Sequence, residues 1–216
     1  MRAAVIQFPG SNCDLDLMNA LKELKFEATL VSHEATDLSE FDAIFIPGGF
    51  SFGDYLRSGA VARFSPIIAA IKKAAAAGKL VVGICNGFQI LTEAGLLPGQ
   101  LMMNEHPGFI CDEADLEIVN PDSRFTNQYQ KQFITIPVAH GEGRYVADAT
   151  TIAALDKNHQ IIFKYRKNIN GSINNIAGIS NKVGNVFGMM PHPERAIEAM
   201  ISSDDGRAFF TSILNK

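Results

Sequence analysis

Cys85 stands in a pattern that is typical of a nucleophile. It lies in Gly83-Ile84-Cys85-Asn86-Gly87, between the apolar run Leu80–Cys85 and a helical segment that ends near Gly95. A small-x-nucleophile-x-small turn between a strand and a helix presents its central side chain on a sharp bend, where larger flanking residues would collide. At a helix N-terminus the free N–H groups also stabilise a thiolate. The alternative is a small buried thiol that fills the end of a strand.

A nucleophilic Cys needs a base, and the base needs a group that orients it. His192 and Glu194 supply this combination in Pro191-His192-Pro193-Glu194. The prolines favour extended backbone, in which side chains two residues apart point the same way. His192 follows an apolar strand, as Cys85 does, so both are expected at the carboxyl edge of one parallel sheet. The alternative is an exposed ion pair in a proline-rich turn.

The remaining histidines are weaker candidates. His33, His106 and His159 are expected in loops or at strand edges. His140 lies in Ala139-His140-Gly141-Glu142-Gly143 after a predicted strand, a place suited either to lining a pocket or to an exposed turn.

Acyl transfer also requires donors for a developing oxyanion. The N–H of Asn86, directly after the nucleophile, is one candidate. The loop Gly48-Gly49-Phe50 follows the neighbouring strand, and its glycines allow backbone N–H groups to approach closely. The loop lacks the pattern of a P-loop or a dinucleotide fingerprint, and a plain glycine turn is the alternative.

Composition limits the class of protein. The 216 residues carry a net charge of −4, 47% are hydrophobic and 19% are charged, which favours one globular α/β domain spanning 1–216. The basic residues are scattered, so nucleic acid is not expected as a partner, and no apolar run is long enough for a membrane span. Cys13, Cys85 and Cys111 have no metal-ligand spacing, so we expect reduced thiols, no metal site and a cytoplasmic location.

The hydrophobic pattern predicts an α/β fold with three layers. A mainly parallel central sheet carries helices on both faces, and antiparallel strands are added at one edge. The predicted strands are Ala3–Phe8, Glu27–Val31, Asp42–Pro47, Leu80–Cys85, Phe109–Asn120, Gln132–His140, Ile161–Tyr165, Ile176–Ser180 and Val186–Met190. The predicted helices run from a cap at Asn12 or Asp14 to about Leu24, from about Ala60 to Ala77, after Cys85, and over Asp204–Leu214. The polar turn at 168–172 is expected as an exposed loop tip.

Three of these motifs together resemble the class I glutamine amidotransferases. They are Pro47-Gly48-Gly49, Gly83-Ile84-Cys85-Asn86-Gly87-Phe88-Gln89 and Pro191-His192-Pro193-Glu194. The segments 7–14, 50–57 and 139–143 resemble the branch of that family that serves de novo purine biosynthesis, in its short-subunit form.

The resemblance implies a role for each motif. Cys85 would be the nucleophile, His192 the base and acid, and Glu194 the carboxylate that orients the imidazole. Gly49 and Asn86 would donate to the oxyanion. The residues expected to border the glutamine pocket are Gly48, Phe50, Gln89 and His140. Phe52, Tyr55 and Arg57 form our candidate docking surface, because aromatic residues and Arg are enriched at interface centres.

The resemblance also implies partners. The chain would hydrolyse L-glutamine to glutamate and ammonia, and a separate large synthetase subunit would use the ammonia to convert formylglycinamide ribonucleotide to its amidine. ATP and Mg would be used by that subunit, with no cofactor in this chain, and a small subunit would bridge the two. Two alternatives remain from the residues alone: a glutaminase subunit of another pathway, or a non-catalytic domain in which the Cys serves redox sensing or binding.

Overall fold

The computed structural model describes residues 1–200 and 202–214. The strands are β1 Arg2–Gln7, β2 Glu27–Ser32, β3 Ala43–Ile46, β4 Leu80–Ile84, β5 Gln100–Met102, β6 Ile110–Ile118, β7 Phe133–His140, β8 Arg144–Val146, β9 Ile161–Tyr165, β10 Ile176–Ser180 and β11 Val186–Met189. The helices are α1 Asp14–Glu23, α2 Ile67–Ala76, α3 Asn86–Glu93, α4 Ala149–Lys157 and α5 Gly206–Leu214. The predicted domain range 1–216 includes Ile201, Asn215 and Lys216, which lie outside the described residues.

One sheet of nine strands organises the fold, in the order β2-β1-β3-β4-β11-β10-β9-β6-β7. The pairs from β2 to β11 are all parallel, and the pairs from β11 to β7 are all antiparallel. The predicted α/β class with antiparallel strands added at one edge is therefore confirmed. β5 and β8 form a separate two-stranded sheet that the sequence pattern did not predict.

Helices cover both faces of the sheet. In β11, Gly188 faces Phe88 of α3, and a Cβ at Gly188 would lie 2.2 Å from the Phe88 ring. The neighbouring Phe187 packs on Phe209 of α5, with ring centroids 5.3 Å apart. Because successive strand residues point to opposite faces, α3 and α5 lie on opposite sides of the sheet. The predicted layering is present.

The register of the parallel strands positions the site. Ile46 of β3 pairs with Gly83 of β4, and Ile84 of β4 pairs with Met189 of β11. Since the strands are parallel, their carboxyl ends meet at one edge, and the segments that follow them are brought together there. Strands β3, β4 and β11 are buried throughout, which explains their nearly continuous apolar sequences.

The predicted helix over 60–77 is wrong in its first part. A short 3₁₀ turn covers Ala62–Phe64, and α2 begins only at Ile67. Ser65 between them is extended, with ψ of 146°. Pro66 disfavours helical backbone at the preceding residue, which explains the break.

The predicted cap of α1 is also wrong. The N-cap is Cys13, and it makes no capping hydrogen bond through its side chain. The Asp14 carboxylate instead accepts a hydrogen bond from Gln7 Nε2 at 2.5 Å. The Asp14 carboxylate, which the local pattern predicted as a helix cap, therefore binds the Gln7 side chain at the end of β1 instead.

The polar turn at 168–172 is not an exposed tip. Asn170 and Ser172 are each 1% exposed. Asn170 Nδ2 donates to the Gly143 carbonyl at 2.9 Å, and Ser172 Oγ accepts from the Tyr145 N–H at 3.0 Å. The turn packs beneath the loop that carries His140, because its polar side chains satisfy the backbone groups of that loop.

Helix α4 was not predicted, although its start carries a recognisable signal. Asp148 is its N-cap and accepts from the Thr151 N–H at 2.7 Å. None of the described helices has both the length and the apolar character that a membrane crossing requires.

Candidate active site

Cys85 lies on the sharp turn that its flanking glycines predicted. Its φ of 51° and ψ of −107° are a strained combination for a residue with a side chain. A Cβ at Gly87 would lie 2.0 Å from the Ile46 carbonyl oxygen, and one at Gly83 would lie 2.5 Å from the Gly87 carbonyl oxygen. Only glycine at these two positions lets β4 turn directly into α3. The turn is anchored by the Cys85 N–H, which donates to Met189 O at 2.8 Å.

His192 and Glu194 form a buried couple at the same edge. His192 Nδ1 lies 2.6 Å from Glu194 Oε1, and the side chains are each 1% exposed. The alternative of an exposed surface pair is therefore wrong. The His192 N–H donates to Pro137 O at 2.8 Å, which fixes this segment against β7. The imidazole is oriented by its backbone as well as by the carboxylate.

The electrostatics of His192 favour an imidazolium. Burial alone lowers its pKa, but the charge of Glu194 and the nearby Cys85 thiol outweigh burial and raise the pKa above its ordinary value of 6.5. Nε2 makes no hydrogen bond of regular geometry with the described residues. Hydrogen bonds within an active site are often long before substrate binds. The absence of a regular bond here therefore leaves Nε2 available to accept the proton of the Cys85 thiol.

Gly48, in the loop after β3, lies where the segments that carry Cys13, Cys85 and His192 meet. A Cβ at this position would stand 2.8 Å from His192 Cε1, 3.1 Å from Cys13 Sγ and 3.4 Å from Cys85 Cβ. The loop after β3 can reach the thiol and the imidazole only because residue 48 has no side chain.

Two backbone N–H groups are available near the thiol. Gly49 has a φ of 134°, and a Cβ there would lie 2.6 Å from the Asn12 nitrogen. Asn86 is the first residue of α3, where N–H groups have no partner within the helix. Within residues 1–200 and 202–214, neither the Gly49 nor the Asn86 N–H donates to an acceptor. The arrangement provides two donors of the kind an oxyanion needs.

The Asn86 and Gln89 side chains tie the site to two surrounding loops. Asn86 Oδ1 accepts from the Ser51 N–H at 3.1 Å, and its Nδ2 donates to Gln89 Oε1 at 2.9 Å. Gln89 Nε2 donates in turn to Glu142 O at 2.7 Å. Gln89 was expected to border the glutamine pocket, and both its amide oxygen and its amide nitrogen already have a protein partner.

His140 is held as a neutral imidazole with a defined tautomer. Asn104 Oδ1 accepts from the Gly143 N–H at 3.0 Å, so it is an acceptor for His140 Nδ1 as well, at 3.1 Å. Nδ1 therefore carries the proton, and Nε2 is a buried acceptor without a partner among the described residues. Burial, followed by the charge of His192, lowers the pKa of His140 to about 4.

Two residues of the site were missed by sequence reasoning. Asn104 stands in a stretch without any motif, and no local signal identifies it. Cys13 lies behind the His192–Glu194 couple, and burial together with the charge of Glu194 raises its pKa to about 12. Its position after β1 at the carboxyl edge is a signal that could have found it. The Cys13 thiol donates to Asn12 Oδ1 at 3.3 Å, and Arg195 Nη2 lies 3.3 Å from Cys13 Sγ.

The other predicted residues lie around this centre. Phe50 is 44% exposed, and its ring lies 6.2 Å from that of Phe109. His33 packs on Phe52, with ring centroids 5.4 Å apart, and lies outside the site. His159 is remote from the carboxyl edge, where its carbonyl accepts from Asn120 Nδ2 at 2.9 Å.

A thiol on a strained turn, a buried imidazole–carboxylate couple and two free N–H groups are the parts of a cysteine-dependent acyl-transfer site. Residues 1–208 match the profile of the CobB/CobQ-like glutamine amidotransferase domain, and the chain belongs to this family of glutamine amidotransferases.

Among curated relatives, the chain is 56% identical over 218 residues to the phosphoribosylformylglycinamidine synthase subunit PurQ of Lacticaseibacillus paracasei, covering 100% of this chain and 96% of the relative. Among solved structures, it is similar to a chain of PurLQS from Thermotoga maritima, with a TM-score of 0.92, 49% identity and coverage of 99% and 97% of the two chains. The glutaminase domain of Trypanosoma brucei CTPS has the same fold, with a TM-score of 0.65, 15% identity and coverage of 100% and 94%.

The neutral state of His140 makes stability depend on pH. The folded chain resists protonation until the pH approaches the pKa of about 4, whereas an unfolded His takes up a proton near pH 6.5. The unfolded state thus binds more protons between these values, and the free energy of unfolding falls as the pH falls. From pH 7 to pH 5 the loss due to His140 is about 2 kcal/mol.

We therefore expect His140→Gln to lose about 2 kcal/mol less stability than the wild type over this interval. Urea unfolding of both proteins at the two pH values measures the difference. An equal decrease in both proteins would show that His140 is protonated as easily in the folded chain as in the unfolded one.

Proposed function

We propose that this chain hydrolyses L-glutamine to glutamate and ammonia with Cys85 as nucleophile, His192 as base and acid, and Glu194 as the carboxylate that orients the imidazole. The observation that supports this most is the buried His192–Glu194 contact of 2.6 Å beside the strained turn of Cys85. A redox or binding module would have use for a reactive thiol but none for this couple.

The proposed reaction begins at the Cys85 thiol and uses the His192 imidazole for each proton transfer. His192 Nε2 takes the proton of the Cys85 thiol, and the thiolate attacks the side-chain amide carbon of glutamine. The tetrahedral intermediate collapses to a glutamyl thioester when His192 returns the proton to the leaving nitrogen, which departs as ammonia. Water, deprotonated by the same imidazole, then attacks the thioester carbon. The carbon–sulfur bond breaks, glutamate leaves, and Cys85 regains a proton from His192.

The Gly49 and Asn86 N–H groups belong to the same proposal. They would donate to the oxygen that gains charge in each tetrahedral intermediate, and such a donor typically lowers the barrier by about 3 kcal/mol. His140 Nε2 would accept a hydrogen bond from a substrate N–H, since it is a buried acceptor with no other partner among the described residues. Gly48 and Phe50 would border the pocket from the loop after β3.

The acceptor of the ammonia lies in a partner. We propose that this chain, as one domain over 1–216, is the glutaminase subunit of phosphoribosylformylglycinamidine synthase. A large synthetase subunit would use ATP and Mg to convert formylglycinamide ribonucleotide to its amidine, with a small subunit bridging the two. Ammonia released into water would become protonated and lose its nucleophilicity, so a sheltered route between the subunits is required. A cytoplasmic location belongs to the same proposal.

Replacement of Cys85 tests the proposed nucleophile. In the reconstituted complex, Cys85→Ala should reduce glutamine-dependent amidine formation to background, because no thioester can form. Synthesis from added ammonium salt should remain near the wild-type rate, because the synthetase site is intact. The control variant Cys111→Ser changes an exposed thiol on β6 and should leave both rates unchanged.

Loss of the ammonia-dependent rate in Cys85→Ala would contradict the assignment of Cys85 to glutamine hydrolysis alone. Retention of glutamine-dependent synthesis would contradict the proposed nucleophile.

The predicted docking surface is best represented by the tip of the loop after β3. Tyr55 is 75% exposed and the adjacent Leu56 is 89% exposed, with a φ of 72° at Leu56. Phe52, by contrast, turns inward toward Phe8 and His33. Arg57 makes two hydrogen bonds with the Glu93 carboxylate, at 2.6 and 2.8 Å.

This loop is connected to the oxyanion donors. Asn86 Nδ2 lies 3.3 Å from Asp54 Oδ1, and Asn86 Oδ1 accepts from the Ser51 N–H. Burial and the charge of Glu142 raise the pKa of Asp54, which indicates how closely the loop is packed on the site. We infer that the synthetase subunit docks on this tip, where its contact is transmitted to the start of α3.

Replacement of Tyr55 tests the proposed docking surface. Tyr55→Asp should weaken binding to the synthetase subunit at least about tenfold, because a charge replaces an exposed aromatic at the centre of the interface. Val183→Asp is the matched control, since Val183 is also exposed, at 81%, but lies elsewhere. Affinities would be measured by titration calorimetry, and equal affinity of the two variants would contradict the proposed surface.

A further inference from the structure

Cys13 stands outside the proposed catalytic residues, yet it is buried against two of them. Its Sγ, a ring nitrogen of His192 and a carboxylate oxygen of Glu194 lie within 4.8 Å of one another. Cys13 is 4% exposed, His192 1% and Glu194 4%. A thiol, an imidazole and a carboxylate are thus gathered in one enclosed cluster.

The cluster contains polar atoms whose hydrogen-bonding capacity is not used. His192 Nε2 and Glu194 Oε2 are both buried and have no hydrogen-bond partner among the described residues. An unsatisfied buried polar group destabilises the folded state, and a ligand that it can bind relieves this cost. The mechanism uses His192 Nε2 but assigns nothing to Glu194 Oε2 or to the Cys13 thiol.

We propose that Cys13, His192 and Glu194 form a binding site for a thiophilic divalent cation of the zinc class, and that its occupation inhibits the glutaminase. The inhibition rests on the function proposed above, whereas the binding does not.

The donor set selects the ion. Zinc accepts sulfur, nitrogen and oxygen ligands at about 2.0–2.3 Å, so neighbouring ligand atoms of a tetrahedral site lie roughly 3.5 Å apart. All three ligand atoms already lie within 4.8 Å of one another, so side-chain shifts of roughly 1 Å bring the widest separation to this value. Magnesium and calcium prefer oxygen ligands and are not expected to bind here.

The local charges also suit a divalent ion. Arg195 lies beside Cys13, but its Nη2 also contacts Asp16 Oδ2 at 3.1 Å, so its charge is paired. The Glu194 carboxylate and a Cys13 thiolate then balance the two positive charges of the ion. On binding, the Cys13 thiol proton and the second ring proton of the His192 imidazolium are both released to solvent as the sulfur–metal and nitrogen–metal bonds form.

Occupation would stop the proposed chemistry for a simple reason. An imidazole whose free electron pair is on the metal cannot take the proton of Cys85. The inhibition should be reversed by a chelator, since no covalent bond in the protein changes.

Cobalt(II) is a direct probe of the site, because thiolate ligation produces a charge-transfer absorption band. The chelator-washed full chain should bind one equivalent of Co²⁺ with this band, and Zn²⁺ should displace it. Cys13→Ser and Cys13→Ala should both lose the band and bind Zn²⁺ at least about tenfold more weakly. Cys111→Ser, an exposed thiol elsewhere, should bind as the wild type does.

Cys85→Ser separates this site from a metal held by the catalytic thiol, and it should keep the band. X-ray absorption of zinc-loaded Cys85→Ser should show one sulfur ligand, a result that needs no Cys13 variant to fold. Absence of the band in the wild type, its persistence in the Cys13 variants, or its loss in Cys85→Ser would overturn the proposal. The absorption band is measured without glutamine. If the chain binds the metal but the metal-free chain does not hydrolyse glutamine, the proposed function is refuted and the metal site is not.

Discussion

The site depends on how closely three backbone segments approach one another at the carboxyl edge of the parallel strands. The separation between Gly87 and the Ile46 carbonyl leaves no room for a Cβ, and Gly48 is enclosed in the same way by His192 and Cys13. These contacts set the positions of the Cys85 thiol, the His192 imidazole and the N–H groups of Gly49 and Asn86 at once. A side chain at any of these glycines would move groups from different parts of the chain together.

The pKa values of the two buried histidines of the site are shifted in opposite directions. His192 shares its surroundings with the Glu194 carboxylate, so its charged form is favoured and its pKa is raised. His140 faces the Asn104 amide instead, so burial dominates and its pKa is lowered. The partner of each ring therefore decides whether its charged or its neutral form is favoured. Two residues of one type therefore differ in their favoured protonation state within one site.

Sequence reasoning located the sharp turn at Cys85 and the contact between His192 and Glu194, which are encoded locally. The turn around Cys85 and the Pro-His-Pro-Glu segment are short patterns in which residue spacing alone determines the backbone geometry. The fold class was predicted separately, from the alternation of strands and helices along the chain. Asn104 and the buried Asn170 could not be found, because their roles arise from contacts with His140 and Gly143 that are distant in sequence. The break before Pro66 was readable from the rule that residues before proline avoid helix, and it was missed.

The measurement that tests the central claim most directly is covalent labelling of the wild-type chain. Substitution of Glu194 would mix stability with activity, since removing one partner of a buried pair costs about 3–5 kcal/mol. A glutamine analogue with a diazoketone in place of the side-chain amide avoids this, because it reacts only where a thiolate faces a bound glutamine skeleton. Peptide mapping should find one label per chain, on Cys85, and excess L-glutamine should protect it. Labelling at Cys13 or Cys111, or labelling of Cys85 that glutamine does not slow, would contradict the account.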